Sequence, residues 1–139
     1  MRSIRLIQTV ALILGASFTA FALAETPADF LKQFEAAARQ ESAAFKGFSA
    51  QRGDAFFHAT HGREWSCSSC HTQNPSADGK HAKTDKRIAP LAPAANAERF
   101  TQPDKVAKWF KRNCNDVLGR ACTAQEKGDV LSYLTTQKK

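Results

Sequence analysis

Cys67-Ser68-Ser69-Cys70-His71 is the stretch from which the rest of this chain is read. C-x-x-C-H is the pattern of covalent c-type haem attachment. One helical turn sets two thiols at the spacing of the two haem vinyl groups, and the next residue offers its imidazole to the iron. Two other uses of a C-x-x-C pair fit less well. A zinc site wants two more Cys or His ligands at short spacing, and a redox dithiol wants a preceding strand in a βαβ setting. Neither pattern surrounds residues 67–71. The motif therefore assigns one covalently attached haem c to Cys67 and Cys70, with His71 as proximal axial ligand of its iron. The other face of that iron decides what the haem does.

Working outward, the N-terminal 24 residues have the features of a secretory signal. Arg2 and Arg5 form a charged start, Leu6 to Phe21 is a mostly apolar run without charge, and Ala22-Leu23-Ala24 is a small-x-small cleavage site. The run is short and rich in Ala, Thr and Ser, unlike a membrane span. The expectation is an exported, soluble, periplasmic protein starting at Glu25. Taking away Arg2 and Arg5 lowers the formal charge of the 139-residue chain from +7 to +5, with 18 basic and 13 acidic side chains left. That mild excess permits steering toward an acidic protein partner. No base-reading motif or interleaved aromatic-basic patch points to nucleic acid. Of the four cysteines, Cys114 and Cys122 are left over from the haem motif. In an oxidising compartment a disulfide between them is the default, and a pair of free thiols the alternative.

The remaining pattern is helical. Thr26-Pro27-Ala28-Asp29 is a helix start, followed by an apolar stripe of Phe30, Leu31, Phe34, Ala37 and Ala38. Ser49 caps a second helix around residues 50–58, where Gly53 predicts close approach of another helix. Residues 72–86 are polar, hold Pro75, Gly79 and His81, and read as an exposed loop. Ile88 to Pro93 is apolar and twice broken by Pro, so it runs extended; the carbonyl of Pro90 or a neighbour is a candidate acceptor for the Nδ1–H of His71. Thr101-Gln102-Pro103-Asp104 repeats the helix-start chemistry, with Val106, Trp109 and Phe110 as the expected buried face and Lys105, Lys108, Lys111 and Arg112 outside. Thr123-Ala124-Gln125-Glu126 is a capping box opening a last helix. No strand pattern is convincing. The fold class is all-α, with several short helices around one haem.

Composition then limits the distal side of the iron. The only methionine is Met1, inside the signal, so Met ligation is excluded in the mature chain. The donors left are His58, His61, His81, a deprotonated Lys, Asn, or none. Asn113 is placed where a small cytochrome normally brings its distal ligand, just before the last helix, and its alternative role is a helix C-cap.

Ile88 to Pro93, Arg99-Phe100-Thr101, Lys108-Trp109, Arg112-Asn113-Cys114-Asn115, Gly119-Arg120, Cys122 and Leu134 together resemble SHP, the sphaeroides-haem-protein family of oxygen-binding class I cytochromes c. The resemblance covers roughly Gly53 to Leu134, and Arg-Asn-Cys-Asn with a second Cys eight residues on is its most specific part. It implies a class I cytochrome c-like fold and assigns Asn113 as the distal axial iron ligand beside a Cys114–Cys122 disulfide. The resulting division is a signal at 1–24, an N-terminal helical extension at 25–48 and a cytochrome c domain at 49–139. The function implied is electron acceptance from a redox partner cytochrome, a dihaem cytochrome c being one candidate. Binding of O2, NO or CO at ferrous haem would follow once Asn113 leaves. The rival is a pure electron carrier with permanent His or Lys ligation, and His58 and His61 are the departures from the family pattern that bear on it. No distal acid–base pair is identifiable, so no committed enzyme is expected, although reactivity with oxygen or nitric oxide fits the same site.

Overall fold

The computed structural model describes residues 24–139; the expected signal lies, but for Ala24, outside them. Among the described residues the elements are α1 (Pro27–Glu41), α2 (Ala50–His58), α3 (Cys67–His71), β1 (Gly79–Lys80), β2 (Arg87–Ile88), α4 (Pro103–Leu118) and α5 (Ala124–Thr136). The all-α reading holds with one small addition, the antiparallel pair that sets Gly79 opposite Ile88. No helix among the described residues is long and apolar enough to cross a membrane.

α5 is the element the others pack on. It contributes Val130, Tyr133 and Leu134 to a cluster around Phe57 of α2, and Leu131 to a second cluster with Phe30 of α1 and Val106 of α4. Phe57 and Leu131 are fully buried. Phe100 packs on both clusters, and its φ of +56° is a left-handed conformation costing a β-carbon residue about 1–3 kcal/mol. The packing on two sides holds it there.

Gly53 does mark a helix crossing. A methyl group there would fall inside contact distance of the Asp129 carbonyl and 2.9 Å from the Tyr133 Cβ. The same crossing carries an ion pair. Asp129 is buried; its carboxylate accepts from the backbone N–H of Ser49 at 2.7 Å and from Arg52 Nε at 2.7 Å. One carboxylate thus ties the start of α2 to the middle of α5.

Local chemistry sets the helix ends. Thr123 with Glu126 forms the expected capping box, and Thr26 with Asp29 forms a second one at the expected start of α1. At α4 the expectation is only half met. Pro103 begins the helix, but Gln102 stands at the cap without a side-chain bond, and the Thr101 hydroxyl donates to Glu98 O instead. An extra residue between Thr and Pro moves the hydroxyl one position too early. α4 also outruns the short helix expected, ending in Gly119 at φ +73°, a left-handed cap that glycine takes without strain.

The turn between α4 and α5 is tied twice. Cys114 and Cys122 form a disulfide with Cα atoms 5.5 Å apart, and Arg120 donates two bonds to Glu126, whose carboxylate also accepts from Thr123 N at 2.8 Å. Arg120 foremost, with Thr123, holds the Glu126 carboxyl below its usual 4.5. A lowered folded value means the interaction stabilises above pH 4.5 and is lost as pH falls through that folded value. Glu126→Gln should therefore cost about 1 kcal/mol near neutral pH. In denaturant titrations the gap from wild type should shrink as pH falls below 4.5 and Glu126 becomes protonated in the folded protein; a gap that keeps its size throughout the acid range would contradict this assignment.

Candidate haem site

The attachment motif occupies the whole of α3, five residues capped by Ser66, whose hydroxyl accepts from Ser69 N while Ser69 Oγ accepts from Ser66 N. Ser66 and Ser68 are buried and hydrogen-bonded to each other at 2.8 Å, so the two residues between the thiols also lock the turn. Cys67 and Cys70 are the free cysteines of the described chain. Burial pushes the Cys67 thiol up to about 11. A redox dithiol needs the opposite shift, toward a nucleophilic thiolate, so the thioredoxin-like alternative loses its chemistry. Two unpaired thiols one turn apart, both half-buried and Cys67 packed on apolar side chains, fit addition to the two vinyl groups of haem.

His71 completes the turn. Burial pushes its imidazole down to about 4, with the Arg99 charge acting in the same direction. It is neutral at pH 7, the state that ligates metal. The Phe57 ring lies 6.4 Å from it, centroid to centroid. Cys67 packs on the Phe57 cluster, and Phe100 leads from there to Val106 and Phe110 of α4.

The floor under α3 is tighter than a polar loop suggests. Gly79 is buried with its backbone against the Cys70 carbonyl, where any side chain would collide. Pro75 is fully buried, and its carbonyl accepts from Leu91 N and Ala92 N, both at 2.9 Å. The expected pairing of Pro90 with His71 is replaced by another. The Pro90 carbonyl receives Arg99 Nε at 2.8 Å and Asn96 Nδ2 at 3.3 Å, and Arg99 Nη2 donates to Ala89 O. Two donors fill the two lone pairs of that oxygen. Arg99 was not singled out for this clamp by sequence reasoning, although a lone cation closing an Ala/Pro run was its available signal. Burial lowers the Arg99 guanidinium pKa.

Asn113 lies inside α4, five residues before its end, and is half-buried. It is not a C-cap, since Gly119 has that place. From Gln102 to Gly119 no side chain makes a hydrogen bond among the described residues, so the Asn113 carboxamide has no partner there. Asn is an indifferent helix former that normally justifies itself by local bonding. Next to it, Cys114 is buried in the disulfide.

The three other histidines have protein neighbours. His58 Nδ1 lies 2.9 Å from Asp54 O and 3.0 Å from Asp54 Oδ1. His61 stacks on Phe56 at 4.3 Å and sets Nε2 2.9 Å from Phe56 O, in a shallow cleft shared with Arg52, Gln125 and Asp129. His81 Nδ1 accepts from Lys83 N at 3.3 Å in the turn between β1 and β2. Trp65, just before the attachment turn, has the Lys83 ammonium 4.5 Å from its ring centroid.

Residues 43–134 match the protein family described as Domain of unknown function (DUF1924). The chain is 39% identical to cytochrome c'' of Methylophilus methylotrophus, covering 96% of each sequence. It is 42% identical to the cytochrome c-type protein SHP of Cereibacter sphaeroides, covering 91% of this chain and 97% of that one. Solved structures of both superpose on it. Oxidised SHP, described as an oxygen-binding cytochrome c, gives a TM-score of 0.72 at 40% identity over 82% of this chain and 99% of its own. Cytochrome c'' in solution, a structure described as giving insights into haem-ligand detachment, gives 0.70 at 37% identity over 81% of this chain and 94% of its own.

Proposed function

This chain belongs to the family of c-type cytochromes represented by SHP and cytochrome c'', and from that premise we propose that it is a periplasmic monohaem cytochrome in which Asn113 gates a gas-binding site. Cys67 and Cys70 would hold the haem c through thioethers, and neutral His71 would ligate its iron. Haem held there supplies an iron that accepts one electron and, when ferrous with one side open, takes O2, NO or CO. The observation that carries the reading is the Asn113 carboxamide, half-buried inside α4 with no partner among the described residues and no capping duty.

A carboxamide is a neutral, weak donor beside imidazole or thioether. The more highly charged ferric state favours such a polar oxygen or nitrogen donor, and the ferrous state would hold it poorly. Once displaced, Asn113 still offers two N–H donors and one acceptor to a bound diatomic. The disulfide limits how far it can go. Because Asn113 rides a helix whose neighbour Cys114 is bonded to Cys122, leaving the iron would require a rotation of its side-chain torsions rather than the swing of a loop. SHP is described as oxygen-binding and a cytochrome c'' structure addresses haem-ligand detachment; both descriptions support this order of events.

One observation favours the rival with a permanent histidine. His58 Nδ1 is anchored on Asp54, and its Nε2 has no hydrogen-bond partner among the described residues, as in a ligating imidazole. The reduced protein separates the two. A ferrous spectrum of five-coordinate type that changes on adding CO is expected; a six-coordinate ferrous spectrum indifferent to CO would sink the gating proposal.

A further inference from the structure

From the outer face of α4 we infer that an acidic electron-donor protein docks there, with Trp109 as its apolar anchor and Lys105, Lys108, Lys111 and Arg112 as its charged rim. The inference rests on the electron-accepting reading above and adds where the partner binds and what its surface must be.

Trp109 is 45% exposed, the one large apolar side chain so placed among the described residues. Its ring is flanked by cations, with Lys108 Nζ 5.8 Å and Arg112 Cζ 5.7 Å from the centroid. Lys105 and Arg112 lie one turn before and roughly one after it on the same side of the helix. Elsewhere among the described residues exposed cations are often paired: Lys32, Arg39, Lys80, Arg87 and Arg120 each hold a carboxylate. None of the four cations on α4 does so among the described residues. Lys108, Lys111 and Arg112 line a groove closed by Asn115 and Ala121, with no acid in its wall. The two acids of α4, Asp104 and Asp116, stand near its two ends.

Charge of one sign without internal partners steers an opposite surface and raises its rate of encounter. Trp and Arg are the side chains that most often carry binding energy when covered. A solvated helix face explains the lysines but not an exposed Trp set between two of the cations. The location suits electron entry, because Asn113 is one turn beyond Trp109 on the same side of α4. An acidic redox protein seated on Trp109 would therefore reach the chain beside the residue proposed to answer reduction.

The test uses the haem-loaded oxidised protein and an oxidised plant-type ferredoxin as a small acidic probe, so it needs neither electron transfer nor gas. Amide shift changes should map to α4, and calorimetric affinity should fall at least about tenfold between about 10 and about 200 mM ionic strength. Changing Lys108, Lys111 and Arg112 together to Gln should weaken binding at least about tenfold. Trp109→Ala should weaken it about as much, although it removes no charge. The same triple change at Lys46, Lys138 and Lys139 should leave affinity unaltered. Unchanged binding in either α4 variant, shifts mapping elsewhere, or binding to phosphatidylglycerol vesicles in place of ferredoxin would overturn the inference. The CO spectrum is independent of all these outcomes, so a failed gate and a failed docking face remain distinguishable.

Discussion

Asn113→Ala is expected to change the ferric absorption spectrum, to raise the apparent affinity of the ferric protein for azide by about tenfold or more, and to leave the fold intact. The first effect follows from removing the atom proposed to occupy the ferric iron. The second follows because an external ligand no longer competes with an internal one; apparent affinity scales with the fraction of sites already open. In the ferrous state Asn113 should already be displaced, so the spectrum without gas should barely move. Gas release should quicken by about tenfold, the worth of one lost hydrogen bond of roughly 1.4 kcal/mol. Stability should change little. The side chain is half-buried and has no partner among the described residues to orphan, and Ala is the better helix former. An unchanged ferric spectrum would mean that Asn113 is not the ligand. The double replacement of His58 and His61 would then be the variant to show the spectral change.

Gly53→Ala is expected to destabilise the protein by about 3 kcal/mol or more, against the usual sense of that substitution. In an exposed helix interior Ala gains up to about 1 kcal/mol over Gly. Here the added methyl meets the Asp129 backbone carbonyl and the Tyr133 Cβ, neither of which can turn aside. α2 must move away from α5. That motion stretches the bonds from Asp129 to Ser49 and Arg52 and opens the cluster that Phe57 shares with Val130 and Leu134. Overpacking alone costs about 1–3 kcal/mol, and loosening a buried carboxylate from its donors adds to it. The melting temperature should fall by about 10 °C or more. A variant as stable as wild type would show that the helices can separate at that point and that the Asp129 anchor is not tight.

How much of this was legible in the sequence depends on the range of the interaction involved. Ser49, Thr26 and Thr123 cap their helices as read, because a cap is settled within four residues. Gly53 announced a crossing because a helix has little other use for it. The C-x-x-C-H turn was readable because haem attachment fixes its spacing, and the Cys114–Cys122 bridge because two cysteines are left over in a chain expected in an oxidising compartment. What was lost depended on partners far along the chain. Trp109 was assigned to a buried face by apolarity, yet the stripe that α4 buries runs through Val106, Cys114 and Val117 with Phe110 beside it. Trp109 lies at its margin, where helical rotation turns it to water. The apolar segment at 88–93 was correctly read as irregular, but the donors that fill its carbonyls come from Asn96 and Arg99. Buried Gly79 and Pro75 looked like loop punctuation, since polarity along 72–86 says nothing about the backbone of Cys70 pressing from behind.

Asn113 was legible in a different way. Sequence chemistry alone left it among several donors, and only the family pattern preferred it. The helix around it now removes the capping explanation, while its identity as the iron ligand is the claim most in need of a direct look. Crystal structures of the haem-loaded protein, determined in the ferric state and again after reduction in the crystal, supply it. Asn113 is expected within bonding distance of ferric iron and rotated away from ferrous iron, with Cys114–Cys122 and α4 in place in both. His58 or His61 on the iron, or Asn113 turned away from it in both states, would contradict it.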